Sequence, residues 1–231
     1  MGLHLCYELE LPPESPEEAV ATRLGQLREA ACGLPFDRIS PMFRFVGEEC
    51  RPGRWGEGDQ YEWYFKLFAS GQAARCSDPE YPPSVPADIA IGFVVHPGTR
   101  CESAAFGLAR FPEPVTAYRG ERPVETTGWH WQAVCKTQYA ALVSGDHLIR
   151  CHLGLVELLE EARRLGFGVT VRDETHYWET RDTRRLLDEV HAMNRIVAKF
   201  AGRLGDALPG GLRLGGAIVE HPRFEHLEME E

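Results

Sequence analysis

The chain opens on alternation. Leu3, Leu5, Tyr7, Leu9 and Leu11 are apolar, and His4, Cys6, Glu8 and Glu10 stand between them. A period of two puts the first set on the core face of a strand and the second on its other face. Ser15-Pro16-Glu17-Glu18 then reads as a capping box with proline at the first helical position. Val20, Leu24, Leu27, Ala31 and Leu34 follow at helical spacing, and Gly33 is placed to end the helix. Further strands are predicted over 38–46, 61–70, 88–96 and 103–111. The third of these is apolar on both faces, as in a central strand.

Alternation returns over 129–139. Trp129, Trp131, Ala133, Cys135, Thr137 and Tyr139 fall on one face, and His130, Gln132, Val134, Lys136 and Gln138 on the other. A helix is predicted over 146–165, with Arg163 and Arg164 suiting its negative end and Gly166 its stop. Phe167, Val169 and Val171 make a short strand. The helix predicted over 182–204 carries an apolar stripe, Leu186, Val190, Met193, Val197, Phe200 and Leu204, which should be the largest helical contribution to the core. Leu212, Leu214 and Ile218 suggest one more strand. The sum is an α+β protein: a mixed, mostly antiparallel sheet of about seven or eight strands with three main helices packed on it. The strand–helix–strand units at the two ends would supply right-handed parallel crossovers. With no linker and no internal repeat, 1–231 reads as a single domain whose residues 221–231 form a mobile acidic tail.

Composition narrows the setting. At 231 residues the chain can bury a core without disulfide or metal staples. Its seven cysteines are odd in number and contain no C-x-x-C pair, which points to a reducing cytoplasm. Met1-Gly2-Leu3-His4 runs into the first strand without the basic and apolar regions of a secretory signal. No run approaches the ~20 apolar residues of a membrane span. A net charge of −10, spread over both halves, argues against a nucleic-acid partner, since phosphate contacts need clustered cations. Only Lys66, Lys136 and Lys199 are lysines among the basic residues, a skew that points to a GC-rich bacterial coding sequence.

Candidate chemistry concentrates between 129 and 182. Asp173, Glu174, His176 and Glu179 follow a short buried strand and form the densest set of acid–base groups. They show no metal-ligand spacing, so neither a metal nor another cofactor is expected. His130, Lys136 and Gln138 could line a cleft for an anionic or amide-bearing ligand, or form an ordinary solvated face. Trp178 and Arg181 join them as candidate ligand-binding residues. His147 and His152 stand about 140° apart on their helix and cannot chelate one ion. His152 falls on the apolar stripe and reads as a core histidine, as does Asn194 among its apolar neighbours. Cys135 or Cys151 becomes a nucleophile only beside a histidine. His152, next in sequence to Cys151, points about 100° away from it.

Lys136-Thr137-Gln138-Tyr139, Arg150-Cys151-His152-Leu153 and Tyr177-Trp178-Glu179-Thr180-Arg181-Asp182 resemble a group of hypothetical bacterial proteins with no known activity. The resemblance covers the C-terminal part of the chain, extends to Asp173-Glu174, and implies no fold or cofactor. His176 stands where that pattern carries a small residue. The reading is a cytoplasmic module that binds a partner protein or a small ligand, without nucleic acid or membrane. The alternative is a hydrolase- or transferase-type enzyme using the 173–181 loop and the 130–138 strand face. Convergence of those two segments on one shielded point separates the two.

Overall fold

The computed structural model describes residues 3–54, 58–71, 87–111, 115–116, 123–124 and 128–207. The opening alternation forms β1 (Leu5–Leu11), with Leu5, Tyr7, Leu9 and Leu11 buried. It is hydrogen-bonded on both sides. On one side β8 (Trp129–Cys135) runs antiparallel in the register Leu5↔Cys135 to Leu11↔Trp129, so both apolar sets share a face. On the other lies β9 (Gly168–Asp173), also antiparallel. The ring donors buried with this face find partners: Tyr7 Oη and Trp131 Nε1 both donate to Ala105 O at 2.8 Å, and Trp129 Nε1 to Ser15 O at 2.9 Å.

The sheet continues through β5 (Ala104–Arg110) to β4 (Ile89–His96), the latter buried over nearly its whole length as predicted. The edge beyond β4 is one predicted strand, 38–46, broken in two. Pro41 has no N–H to offer the ladder. β2 (Arg38–Ile39) and β3 (Phe43–Val46) therefore pair separately with β4. At the break the Ser40 hydroxyl takes over, accepting from Val94 N at 2.9 Å. β6 (Val115–Thr116) and β7 (Pro123–Val124) form a separate two-stranded ribbon.

All neighbouring strands in the seven-stranded sheet are antiparallel. The expected parallel crossovers do not produce parallel neighbours. β8, α3 (Gly145–Arg164) and β9 form a split unit with β1 inserted between its two strands. The α+β class and the antiparallel sheet are as expected.

Among the described residues four helices, not three, are longer than two turns. The fourth is α2 (Gln60–Gly71), where a strand was predicted. Its aromatic richness suggested β structure, but Tyr61, Tyr64, Phe65, Phe68 and Ala69 recur at helical spacing, and Phe65 and Ala69 are fully buried. Asp59 Oδ1 caps the first turn through Glu62 N at 2.8 Å. The other correction at a helix start is α1 (Glu17–Cys32). Pro16, in extended conformation, is the N-cap, and no side chain closes a capping box. Ser15 instead donates its N–H to Pro12 O.

In α5 (Thr183–Ala207) the predicted stripe holds only at its start. Leu186, Val190, Asn194 and Ala198 are buried, whereas Phe200 and Leu204 are exposed. Among the described residues α3 buries the larger face: Leu148, Leu155, Leu158, Leu159 and Ala162 all lie in the core. The predicted strand at 212–218 and the tail at 221–231 lie outside the described residues.

Gly92 and Gly107, paired across β4 and β5, let the Phe65 ring approach the sheet, where it stacks on Trp131 at 4.9 Å. A Cβ on Gly92 would sit 2.2 Å from Phe106 O and 2.6 Å from the Phe65 ring. Gly92→Ala is expected to cost about 3 kcal/mol in a denaturant melt. Gly25→Ala, in open space within α1, should stabilise by about 0.5–1 kcal/mol in the same assay.

Candidate functional site

The polar residues singled out in the sequence separate into distinct groups. Asp173, the last residue of β9, is buried. Its Oδ1 accepts from Thr175 N at 2.9 Å and Thr175 Oγ1 at 2.7 Å, and its Oδ2 from Trp178 N at 2.9 Å. Oδ2 also faces His152 Nε2 at 3.1 Å. An ionised carboxylate only accepts, so Nε2 carries the imidazole proton and Nδ1 accepts from Thr137 Oγ1 at 3.0 Å. Burial pushes the Asp173 carboxyl up, but the hydrogen bonds from His152 and Thr175 outweigh it and hold its pKa at about 2. Hydroxyl, imidazole and carboxylate stand in the order of a nucleophilic triad. All three are closed off from solvent. As it stands, the group fastens the end of β8, the middle of α3 and the end of β9 together.

Gln138 is a second fastener. β8 ends at Cys135, and the chain turns through the 3₁₀ segment Gln138–Leu142. The expected polar face His130, Lys136, Gln138 is therefore not continuous. Gln138 is buried, accepting from Leu3 N at 2.7 Å and donating to Asn194 Oδ1 at 2.6 Å. Lys136 turns toward Glu102, at 3.9 Å, and lies over the Tyr139 ring. His130 sits at the far end of β8, directly across the ladder from Glu10. Glu8, Glu10 and His130 bring three donor atoms within 4.8 Å of one another. Ligands held about 2 Å from a zinc ion lie no more than about 4 Å apart, so this group would have to close around an ion. Each of the three has an interaction within the protein, and no ion is assigned to them.

Trp178 and Arg181 form a third group. The guanidinium groups of Arg163 and Arg181 lie over the Trp178 ring at 4.6 and 4.7 Å, and Arg181 is ion-paired with Glu160 of α3. Trp178 packs against both the main core and the smaller cluster around Leu148 and Leu186.

Glu174, His176 and Glu179 do share a site. With Asp173 at its floor they line an open cleft of about 660 Å³, completed by Leu3, His4, Arg172, Met193 and Ile196. Glu174 Oε2 accepts from His4 N at 2.9 Å and lies 3.2 Å from His4 Nδ1. Burial raises the Glu174 carboxyl, but the bonds from His4 and the charge of Arg172 bring it below its ordinary value. The short helix α4 (Tyr177–Thr180) is bracketed by His176 (φ 59°) and Arg181 (φ 56°), both left-handed. Such backbone costs of order 1 kcal/mol per residue and persists only where the surroundings over-determine it. Here Asp173 holds the turn through Thr175 and Trp178. Leu3, His4, Met193 and Ile196 were missed in the sequence, because they join the cleft from the opposite end of the chain and from α5.

The two segments named in the sequence thus converge in part. Thr137 and Gln138 meet the 173 end through His152 and Leu3, whereas His130 and Lys136 do not. No protein-family model matches the chain, and neither a curated protein nor a solved structure matches it. No helix among the described residues is long and apolar enough to cross a membrane.

The Asp173 carboxyl, ordinarily near 3.8, is held at about 2 in the folded protein. The folded state therefore binds its proton less readily than the unfolded state. The resulting stabilisation is full above pH 3.8 and is lost as the pH falls toward 2. In urea melts the stability gap between the wild type and Asp173→Asn should be constant above about pH 5 and close by about 2 kcal/mol between pH 4 and 2.

Proposed function

We propose that this chain is a binding module of a reducing cytoplasm, and that its ligand sits in the cleft between the 173–179 turn and α5. The observation that carries this reading is an exposed apolar strip. Ile196, on the cleft wall, is 54% exposed, and one and two turns further along α5 Phe200 is 51% and Leu204 37% exposed. Met193 and Leu3 extend the strip into the cleft. Large exposed apolar side chains in a continuous row mark interaction surfaces more often than chance. The acidic side chains Glu174 and Glu179 border the strip. The complementary ligand has an apolar body beside an ammonium or guanidinium group, presented by a small molecule or by a segment of a partner protein. A net charge of −10 favours the approach of such a cation. The described cysteines are free thiols, which supports a reducing compartment.

The contrast with the hydrolase or transferase reading lies in access. The Thr137–His152–Asp173 set is sealed and fully bonded, and the titratable groups facing the cleft stand on an open surface. An enzyme of that kind needs several such groups within reach of one shielded point.

The test is a methyl NMR titration with short peptides and simple amines that pair an apolar group with a cation. Shifts are expected at Leu3, Met193 and Ile196. Glu179→Lys and Ile196→Asp should abolish them while changing stability by no more than about 0.5 kcal/mol. Two results would overturn the reading: no shift with any member of the panel, or a concentration-dependent dimer in sedimentation that Phe200→Glu dissolves.

A further inference from the structure

The turn between β4 and β5 packs on the start of α3 and brings two cysteines together. Cys101 packs against the small apolar cluster that contains Cys151. The approach depends on Gly98. A Cβ there would lie 2.7 Å from both Cys151 Sγ and Arg150 Nη2, and 2.9 Å from the His147 ring. Arg100, in the left-handed region at φ 64°, makes the bend that returns Cys101 to the helix, and Cys101 N donates to Gly98 O at 3.0 Å.

Cys151 sits in a fixed polar frame. His147, one helical turn earlier, places Nε2 3.7 Å from Cys151 Sγ. That nitrogen also lies 2.9 Å from Thr99 O, which can only accept, so Nε2 carries a proton and Nδ1 faces Arg150 Nη2 at 3.3 Å. Arg150 is anchored on Pro35 O at 2.6 Å and Asp37 at 3.2 Å, and its Nη2 is 3.8 Å from Cys151 Sγ. As a thiol Cys151 donates to Pro97 O at 3.3 Å. As a thiolate it accepts from Arg150, and the neighbouring Cys101 thiol together with the Arg150 charge lowers its pKa against the effect of burial. The nearness of Cys151, with burial, holds the Cys101 thiol protonated well above its ordinary value. Burial, as the largest cause, pushes the Cys6, Cys50 and Cys135 thiols up. Cys151 is 1% exposed, whereas Cys101 opens onto a cleft of about 540 Å³ lined also by Asp37, Tyr61, Tyr64 and His96.

We propose that Cys151 is a peroxide-reactive nucleophile and Cys101 its resolving thiol, the two closing to an internal disulfide. The Cys151 thiolate attacks one oxygen of a small hydroperoxide. An S–O bond forms, the O–O bond breaks, and the alkoxide or hydroxide leaves with a solvent proton. Cys101 then attacks the sulfenic sulfur. The S–S bond forms, the S–O bond breaks, and the departing hydroxide takes the Cys101 proton as water. Two thiols and one hydroperoxide become a disulfide, an alcohol or water, and a water.

The test uses the reduced full chain, treated with a small excess of hydrogen peroxide, alkylated and mapped by mass spectrometry. A Cys101–Cys151 disulfide is expected, and Cys101→Ser should accumulate a dimedone-trapped sulfenic acid at Cys151. Arg150→Gln should slow peroxide consumption about tenfold and move the pH midpoint of Cys151 alkylation upward, with Arg150→Lys restoring most of both. Cys151→Ser should remove the fast phase while leaving the circular dichroism spectrum unchanged. The proposal fails if oxidation falls on the other cysteines while Cys101 and Cys151 stay open to alkylation. It fails equally if Arg150→Gln leaves the alkylation midpoint in place, or if glutathione disulfide reacts as readily as peroxide.

Discussion

A carboxylate sealed inside a protein must be hydrogen-bonded on both oxygens, because an uncompensated charge there costs several kcal/mol. Asp173 imposes that requirement, and the arrangement around it follows. His152 has to come from α3, Thr175 from the turn after β9, and the Trp178 N–H from the first turn of α4. Thr137 has to stand behind His152 at the end of β8. Satisfying one group therefore fastens the ends of β8 and β9 to the middle of α3, and it holds the left-handed turn at His176 in place.

The same chemistry-bearing residues are used inward and outward in different ways. Asp173, His152, Thr137 and Gln138 are bonded to one another, to backbone, or to the side chains of Thr175 and Asn194, and their polarity serves to hold elements in register. Glu174, His176 and Glu179, only a few residues away, face solvent across an apolar strip. The thiol pair is a third arrangement. Cys151, next to His152 on α3, faces instead the turn between β4 and β5, where Gly98 and Arg150 set the space and the charge around the sulfur. Each site is built where a helix meets a strand end, since rigid elements hold side chains there while the backbone still bends.

Much of this was legible in the chain itself. Alternation in β1 and β8 specified their buried faces, because a period of two leaves a strand little choice once one face is apolar. Helical spacing identified α1, α3 and α5, with Gly33 and Gly166 marking the ends of the first two, and His152 and Asn194 read correctly as core residues. Asp173, Glu174, His176 and Glu179, grouped in the sequence, line one cleft in the fold. The aromatic segment of α2 misled because its composition favours strands while its spacing is helical, and the spacing reflects the helix that burial stabilises. The sequence also named Cys151 as a possible nucleophile, but it weighed His152, the next residue, instead of His147 one helical turn earlier.

What the tertiary structure alone decided was which surfaces meet. Periodicity says that a residue faces inward or outward, but it carries no information about the partner across the gap. β1 became a central strand only through its pairing with β8 and β9, which turned an expected parallel crossover into a split, wholly antiparallel arrangement. The meeting of Leu3 and His4 with Glu174, of Glu10 with His130, and of Cys101 with Cys151 rests on long-range register and helix docking. Local rules act over a few residues, whereas these contacts join segments whose separation along the chain is closed only by forming the whole core.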